Sequence, residues 1–172
     1  MAAARESFID VMKILITYRA DVNQSKVDSV QDTALTMAAE FGLYQVVHEL
    51  CKARADVNKA TATGATAMLI AAENGHSDVV EILGSFRADP NKALTTPDGL
   101  TPMAVAAKKG SVEVMKCLLS CRADLNKPCS ELMLTPLMLA AEHGQTKLVQ
   151  RCLVMIRDDS STAPNHPQES MV

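Results

Sequence analysis

Five cysteines and four histidines are the side chains in this 172-residue sequence best suited to nucleophilic, acid–base or metal chemistry. Cys117 and Cys121 stand four apart, which puts both thiols on one face of a helix. A structural zinc site needs about four ligands, and no further donor follows at a suitable spacing. Cys51 and Cys152 fall where an apolar-periodic segment wants a buried aliphatic residue. An odd number of thiols without a secretory signal reads as reduced cysteines, which implies a cytoplasmic or nuclear protein. The "NQS" at Asn23 has the form of a glycosylation acceptor that such a compartment leaves unused. His48, His76, His143 and His166 have no regular acidic, Ser or Cys partner. There is no phosphate loop, no H-E-x-x-H and no Gly-x-Ser-x-Gly. The expectation is a protein that is not an enzyme, with no catalytic residues, metal or cofactor.

The residues that remain must act by shape. Hydrophobic residues make up 48% and charged residues 22%, a globular composition. Aromatics are only 3%, so the core is built from Ala, Val, Leu, Ile and Met, which favours closely packed small helices. The formal net charge of −3 is spread along the chain, which points away from nucleic acid and from a polybasic membrane surface. No apolar run has the length of a membrane span. "FIDVMKILI" carries Asp10 and Lys13 within its apolar stretch, against a signal peptide.

Two phrases recur. "RADVN" occurs at 19–23 and 54–58, "RADPN" at 87–91 and "RADLN" at 122–126. Their aspartates, Asp21, Asp56, Asp89 and Asp124, are 35, 33 and 35 residues apart. The second phrase reads "TALTMAAEFG", "TAMLIAAENG", "TPMAVAAKKG" and "TPLMLAAEHG", starting at Thr33, Thr66, Thr101 and Thr135. Such a period marks a stacked repeat architecture. From each of the first three Thr to the next Asp is always 23 residues, whereas Asn to the next Thr is 10, 8, 10 or 9. The first span is a rigid unit and the second a loop that tolerates insertion.

Each rigid unit reads as two short helices. Thr caps the first, with Pro102 and Pro136 at the position where a missing N–H does no harm. Alanine pairs let a neighbouring helix approach closely. Gly42, Gly75, Gly110 and Gly144 break the chain, and apolar residues then recur at helical spacing, as in Val79, Val80 and Leu83. One unit has too little apolar surface to fold alone, and stacking makes a continuous core.

These phrases resemble the ankyrin repeat: "TPLMLAAEHG" is close to that family's Thr-Pro-Leu-His-x-Ala-Ala-x-x-Gly, and "RADVN" to its Gly-Ala-Asp-Val-Asn. The resemblance implies an all-α solenoid with inner and outer helices and projecting β-hairpin fingers. It covers residues 1–156, as a partial repeat over 1–26 and repeats at about 27–59, 60–92, 93–127 and 128–157. The partial repeat aligns from its Ala pair, so Met1 enters near the middle of an inner helix. The tail over 158–172, rich in Ser, Pro and polar residues, is expected to be disordered.

The sequence departs from the family's pattern in several places. Thr36, Leu69, Ala104 and Met138 replace the His that, in the family, ties adjacent loops together. Ala34 and Ala67 replace the usual Pro. Gly84 stands where the outer helix wants a core Leu, so the third unit is expected to be soft and Gly84→Leu to raise the melting temperature. Arg19, Arg54, Arg87 and Arg122 replace the helix-ending Gly. They stack in a column with two readings, an anion-binding ladder or a set of caps, each Arg near the Asp two residues on.

In the family, partners are bound by finger tips and by the exposed ends of inner helices. Carried over position by position, that surface is Val30, Asp32, Glu40 and Phe41; Thr63, Ala65, Glu73 and Asn74; Asp98, Leu100, Lys108 and Lys109; and Leu132, Leu134, Glu142 and His143. Phe41 is the expected anchor. "SELMLTP" offers Leu132, Met133 and Leu134 at a tip where turns are usually polar, either for a partner or folded onto neighbouring fingers. The expected function is a non-enzymatic adaptor or scaffold for a protein or peptide partner. The alternative is a structural or regulatory subunit of a larger assembly, docked or self-associated through Val154, Met155 and Ile156. The end "ESMV" resembles a PDZ-domain ligand, in which Ser170 would donate a hydrogen bond and Val172 would fill an apolar pocket.

Overall fold

The computed structural model describes residues 2–27, 30–130, 133–147 and 149–150, with side chains from Asp10 onward. Short helices come in pairs: α2 (Ala34–Glu40) with α3 (Tyr44–Lys52), α4 (Ala67–Asn74) with α5 (Ser77–Ser85), and α6 (Pro102–Lys109) with α7 (Val112–Ser120). The longer α1 (Ala2–Thr17) precedes them and α8 (Pro136–Glu142) follows. The helices α2, α4, α6 and α8 lie side by side in an inner layer, and α1, α3, α5 and α7 in an outer one.

Each inner helix starts for the reason its sequence supplies. The hydroxyls of Thr33, Thr66, Thr101 and Thr135 accept from the backbone N–H of the residue three on, at 3.2, 3.3, 3.2 and 3.4 Å. Gly75 and Gly110 then end α4 and α6 in the left-handed region, at φ 80° and 72°. The core lies between the layers. Ala39, Ala71, Ala72, Ala106 and Ala107 are fully buried, so the inner helices touch almost backbone to backbone. Leu50, Leu83 and Leu118, also fully buried, come from the outer layer, and each such side chain contributes about 1.5–3 kcal/mol of burial.

The first unit differs from its expected form. Residues 2–17 form one unbroken helix rather than a partial inner helix, a break and an outer helix. The register explains this: Ser7 stands where the other units carry Gly42, Gly75 and Gly110, and without glycine the left-handed break is disfavoured. No inner helix therefore accompanies α1 among the described residues. A cleft of about 560 Å³, lined by Asp10, Lys13, Tyr44 and His48 among others, opens between α1 and α3.

The fingers are also simpler than hairpins. No strand occurs among the described residues; the arms meet at single antiparallel bridges, Ser25 with Thr33, Ala60 with Thr66 and Cys129 with Leu134. Neighbouring fingers are joined by backbone bonds, Ala62 N–H to the Val30 carbonyl at 3.0 Å and Thr95 N–H to the Thr63 carbonyl at 2.9 Å.

Gly84 is not a vacancy in the core. It is half-buried, and a Cβ built there would collide with the Sγ of Cys121 at the end of α7. A leucine there would not enter an empty core site: it must displace the Cys121 thiol, beside a cleft of about 400 Å³ lined by Gly84, Ser85, Cys117 and Cys121 among others.

Candidate functional site

The recurring "RAD-x-N" phrase fixes how the units sit against one another. Arg19, Arg54, Arg87 and Arg122 all adopt the left-handed conformation, φ 60–65°. At Arg54 the helix closes with Ala55 N–H on the Leu50 carbonyl and Arg54 N–H on the Cys51 carbonyl, each 3.0 Å, a Schellman ending that recurs in each of the other units. The arginines act as helix ends, and none is ion-paired with the following Asp among the described residues. Instead each Asp carboxylate accepts from the N–H two residues on, as Asp56 does from Asn58 at 2.9 Å. Each Asn then reaches forward: Asn23, Asn58 and Asn91 accept from the backbone N–H of Asp56, Asp89 and Asp124, each at 2.7 Å. The next residue reaches back: Lys59, Lys92 and Lys127 donate to the carbonyls of Asn23, Asn58 and Asn91 at 2.6–2.8 Å. These bonds provide ties between neighbouring loops at a different place from the missing His. Sequence reasoning overlooked them, although a Lys after the phrase at 59, 92 and 127 was a visible signal.

A second set of ties holds the inner-helix ends. His76 Nε2 lies 3.0 Å from the Glu40 carbonyl, its ring against Gly42, where any Cβ would clash. Gln145 donates from Nε2 to the Lys108 carbonyl at 3.2 Å, against Gly110 in the same way. Ser111 holds the equivalent position between α4 and α6, and nothing lies within 4 Å of a Cβ at Gly75. That junction lacks the side-chain tie because serine is too short.

On this frame the expected surface divides. Phe41 is 63% exposed, and Glu40, Glu73, Lys108, Lys109 and Glu142 are exposed without an ion pair among the described residues. Val30, Thr63 and Asp98 are exposed on the fingers, with Ala65 half-buried behind them. Asp32 is half-buried and lies 4.0 Å from Lys26. Asn74 and His143 are exposed but turn back onto their own helices, bonded to the carbonyls of Ile70 at 2.9 Å and Leu139 at 3.0 Å. Leu100 and Leu134 are half-buried and pack with Ala104, Cys129 and Leu139 in a small second cluster. Of the Leu-Met-Leu tip, Leu132 lies outside the described residues and Met133 is 64% exposed. Met133 has φ 54° at the register position held by Gly64 and Gly99 in the preceding fingers. Ser170, Val172, Val154, Met155 and Ile156 lie outside the described residues.

Met37 is an omission from the sequence reading. It is 37% exposed, four residues before Phe41 and on the same helix face. Its equivalents Val105 and Leu139 are buried at 4% and 6% and Ile70 is half-buried, so the repeated apolar position carries no signal that Met37 is exposed.

The thiols are quiet. Burial pushes Cys51 up to about 11 and raises Cys117, Cys121 and Cys129 as well. All four are free, and little thiolate exists at neutral pH. No group of three or more His, Cys, Asp or Glu among the described residues is arranged to hold a metal ion.

A family model described as ankyrin repeats (3 copies) matches residues 1–93 and again residues 86–162. The chain is an ankyrin-repeat protein. No match was found among curated proteins. Ankyrin repeats are generally protein–protein interaction modules, and the repeat phrases here account for the stacking geometry rather than for any reaction. Among the described residues no helix is long and apolar enough to cross a membrane.

Proposed function

We propose that this ankyrin-repeat chain is a non-enzymatic adaptor or scaffold, acting in the cytoplasm or nucleus. It binds a protein or peptide through its finger tips and the exposed ends of its inner helices. The observation that carries the reading is Phe41. An aromatic ring 63% exposed on a rigid helix end, with Met37 exposed on the same face, is what a binding anchor looks like. The equivalents of Phe41 are Asn74, Lys109 and His143, so the repeat itself has no need of an aromatic there. The free thiols support the compartment.

A photo-crosslinking residue at position 41 should capture a partner that the same group at Ser85, exposed on the outer layer, does not. Phe41→Ala should then weaken that partner's affinity by ~1–3 kcal/mol with helical circular dichroism unchanged. Unchanged affinity in the folded variant would remove Phe41 from the site.

A second reading, a subunit held permanently in a larger assembly, rests on Met138. Its equivalents Thr36, Leu69 and Ala104 are no more than 2% exposed, whereas Met138 is 54% exposed. No further helix packs on that side of α8 among the described residues.

A further inference from the structure

We infer that the partner is an extended peptide of polarised charge. It carries an apolar residue and basic residues facing α2 and α4, and an acidic residue facing α6. This rests on the reading that the inner-helix ends form the binding face.

The seventh residue after each capping Thr is the same place on successive inner helices: Glu40, Glu73 and Lys108 on α2, α4 and α6, over which the peptide pattern runs, and Glu142 on α8 beyond them. Lys109 follows Lys108, whereas Phe41 follows Glu40. All these side chains are exposed, and no charged one among them is paired within the described residues. Some surface charges elsewhere do find partners, as Lys116 with Glu113 at 2.8 Å and Lys52 with Glu49 at 3.7 Å. Glu73 also ends α4, where the helix dipole already concentrates negative potential, so two adjacent helix ends favour a cation. Lys108 and Lys109 reverse the sign at α6. Met37 and Phe41 make the α2 end the apolar one. A phosphate backbone would meet two carboxylates in a row, which disfavours nucleic acid.

Spacing turns this into a pattern. Packed helices are about 8–10 Å apart, and an extended chain advances about 3.3 Å per residue. One repeat therefore corresponds to about three peptide residues. The peptide reads as an apolar and a basic residue together, a second basic residue about three on, and an acidic residue about three beyond that, in either chain direction. The His76 and Gln145 ties hold the α2 and α6 ends in place against the following units.

The test is to pan a displayed random library of about 12-residue peptides against the full chain, then titrate synthetic winners by fluorescence anisotropy. The expected consensus is the pattern above. Glu40→Lys with Glu73→Lys, and separately Lys108→Glu with Lys109→Glu, should each weaken the winner about tenfold or more. A peptide with its charges exchanged should recover affinity on the variant carrying all of these substitutions. Circular dichroism checks that each variant folds. Winners that lack the pattern, or that bind both double variants undiminished, overturn the inference; if Phe41→Ala still weakens them, the binding face itself stands. No enrichment overturns the inference as well, and crosslinking from position 41 then decides the broader reading by itself.

Discussion

A glycine in a helix can mark a missing side chain or a place already taken, and Gly84 shows that the helical pattern alone cannot tell these apart. Its position in α5 follows Leu83, which is fully buried, yet Gly84 itself is half-buried and faces the Cys121 thiol of α7. A larger residue gains up to ~1 kcal/mol of helix propensity, but overpacking typically costs ~1–3 kcal/mol. Packing wins, so Gly84→Leu should lower the melting temperature. Gly84→Ala combined with Cys121→Ala should melt above Gly84→Ala alone, by more than Cys121→Ala changes the native protein. Additive melting shifts in that cycle would show that the two positions do not compete for one space. Arg54 and its counterparts carry the same lesson in reverse. A residue that resists φ near +65° still ends each of α1, α3, α5 and α7, because the two Schellman bonds outweigh the local strain.

At the level of the elements, the helix ends and the loops after them decide how rigid the stack is. Asn58 takes the Asp89 N–H at 2.7 Å, and Lys92 returns to the Asn58 carbonyl at 2.7 Å, so one loop is gripped from both sides of the α5 end. Both bonds lie near the surface, and each is worth ~0.5–1.5 kcal/mol. Asn58→Ala should destabilise the chain by ~1 kcal/mol in urea unfolding. Adding Lys92→Ala should broaden the transition as the flanking units uncouple. A sharp transition at the native midpoint in the double variant would show that helix packing alone holds the units together. The junction between α4 and α6 already lacks the His76-type tie, because Ser111 cannot span the gap.

For the whole molecule, the two ends of the array are what its middle is not. In the middle, every inner helix is covered on both sides, and the residues three after the capping Thr are buried. At α8 that position exposes Met138, and along α1 Val11, Ile14, Leu15 and Tyr18 are exposed. An adaptor tolerates such ends as a free chain, whereas a fixed subunit does not. Sedimentation of the purified chain should therefore show a monomer at micromolar concentration, unchanged by Met138→Glu. An oligomer that Met138→Glu dissolves would favour the docked-subunit reading. The period, the capping threonines, the breaking glycines and the alanine pairs were legible in the sequence, because each acts through bonds within a few residues or through a contact repeated in every unit. That sufficed for an all-α ankyrin stack and for the exposure of Phe41. The continuous α1, the single-bridge fingers, the inward turn of Leu100 and Leu134, the filling of Gly84 by Cys121 and the Asn–Lys grip were settled only by tertiary structure. Each of these depends on how far a side chain or helix of one unit reaches into its neighbour, and on which neighbour is there to be reached.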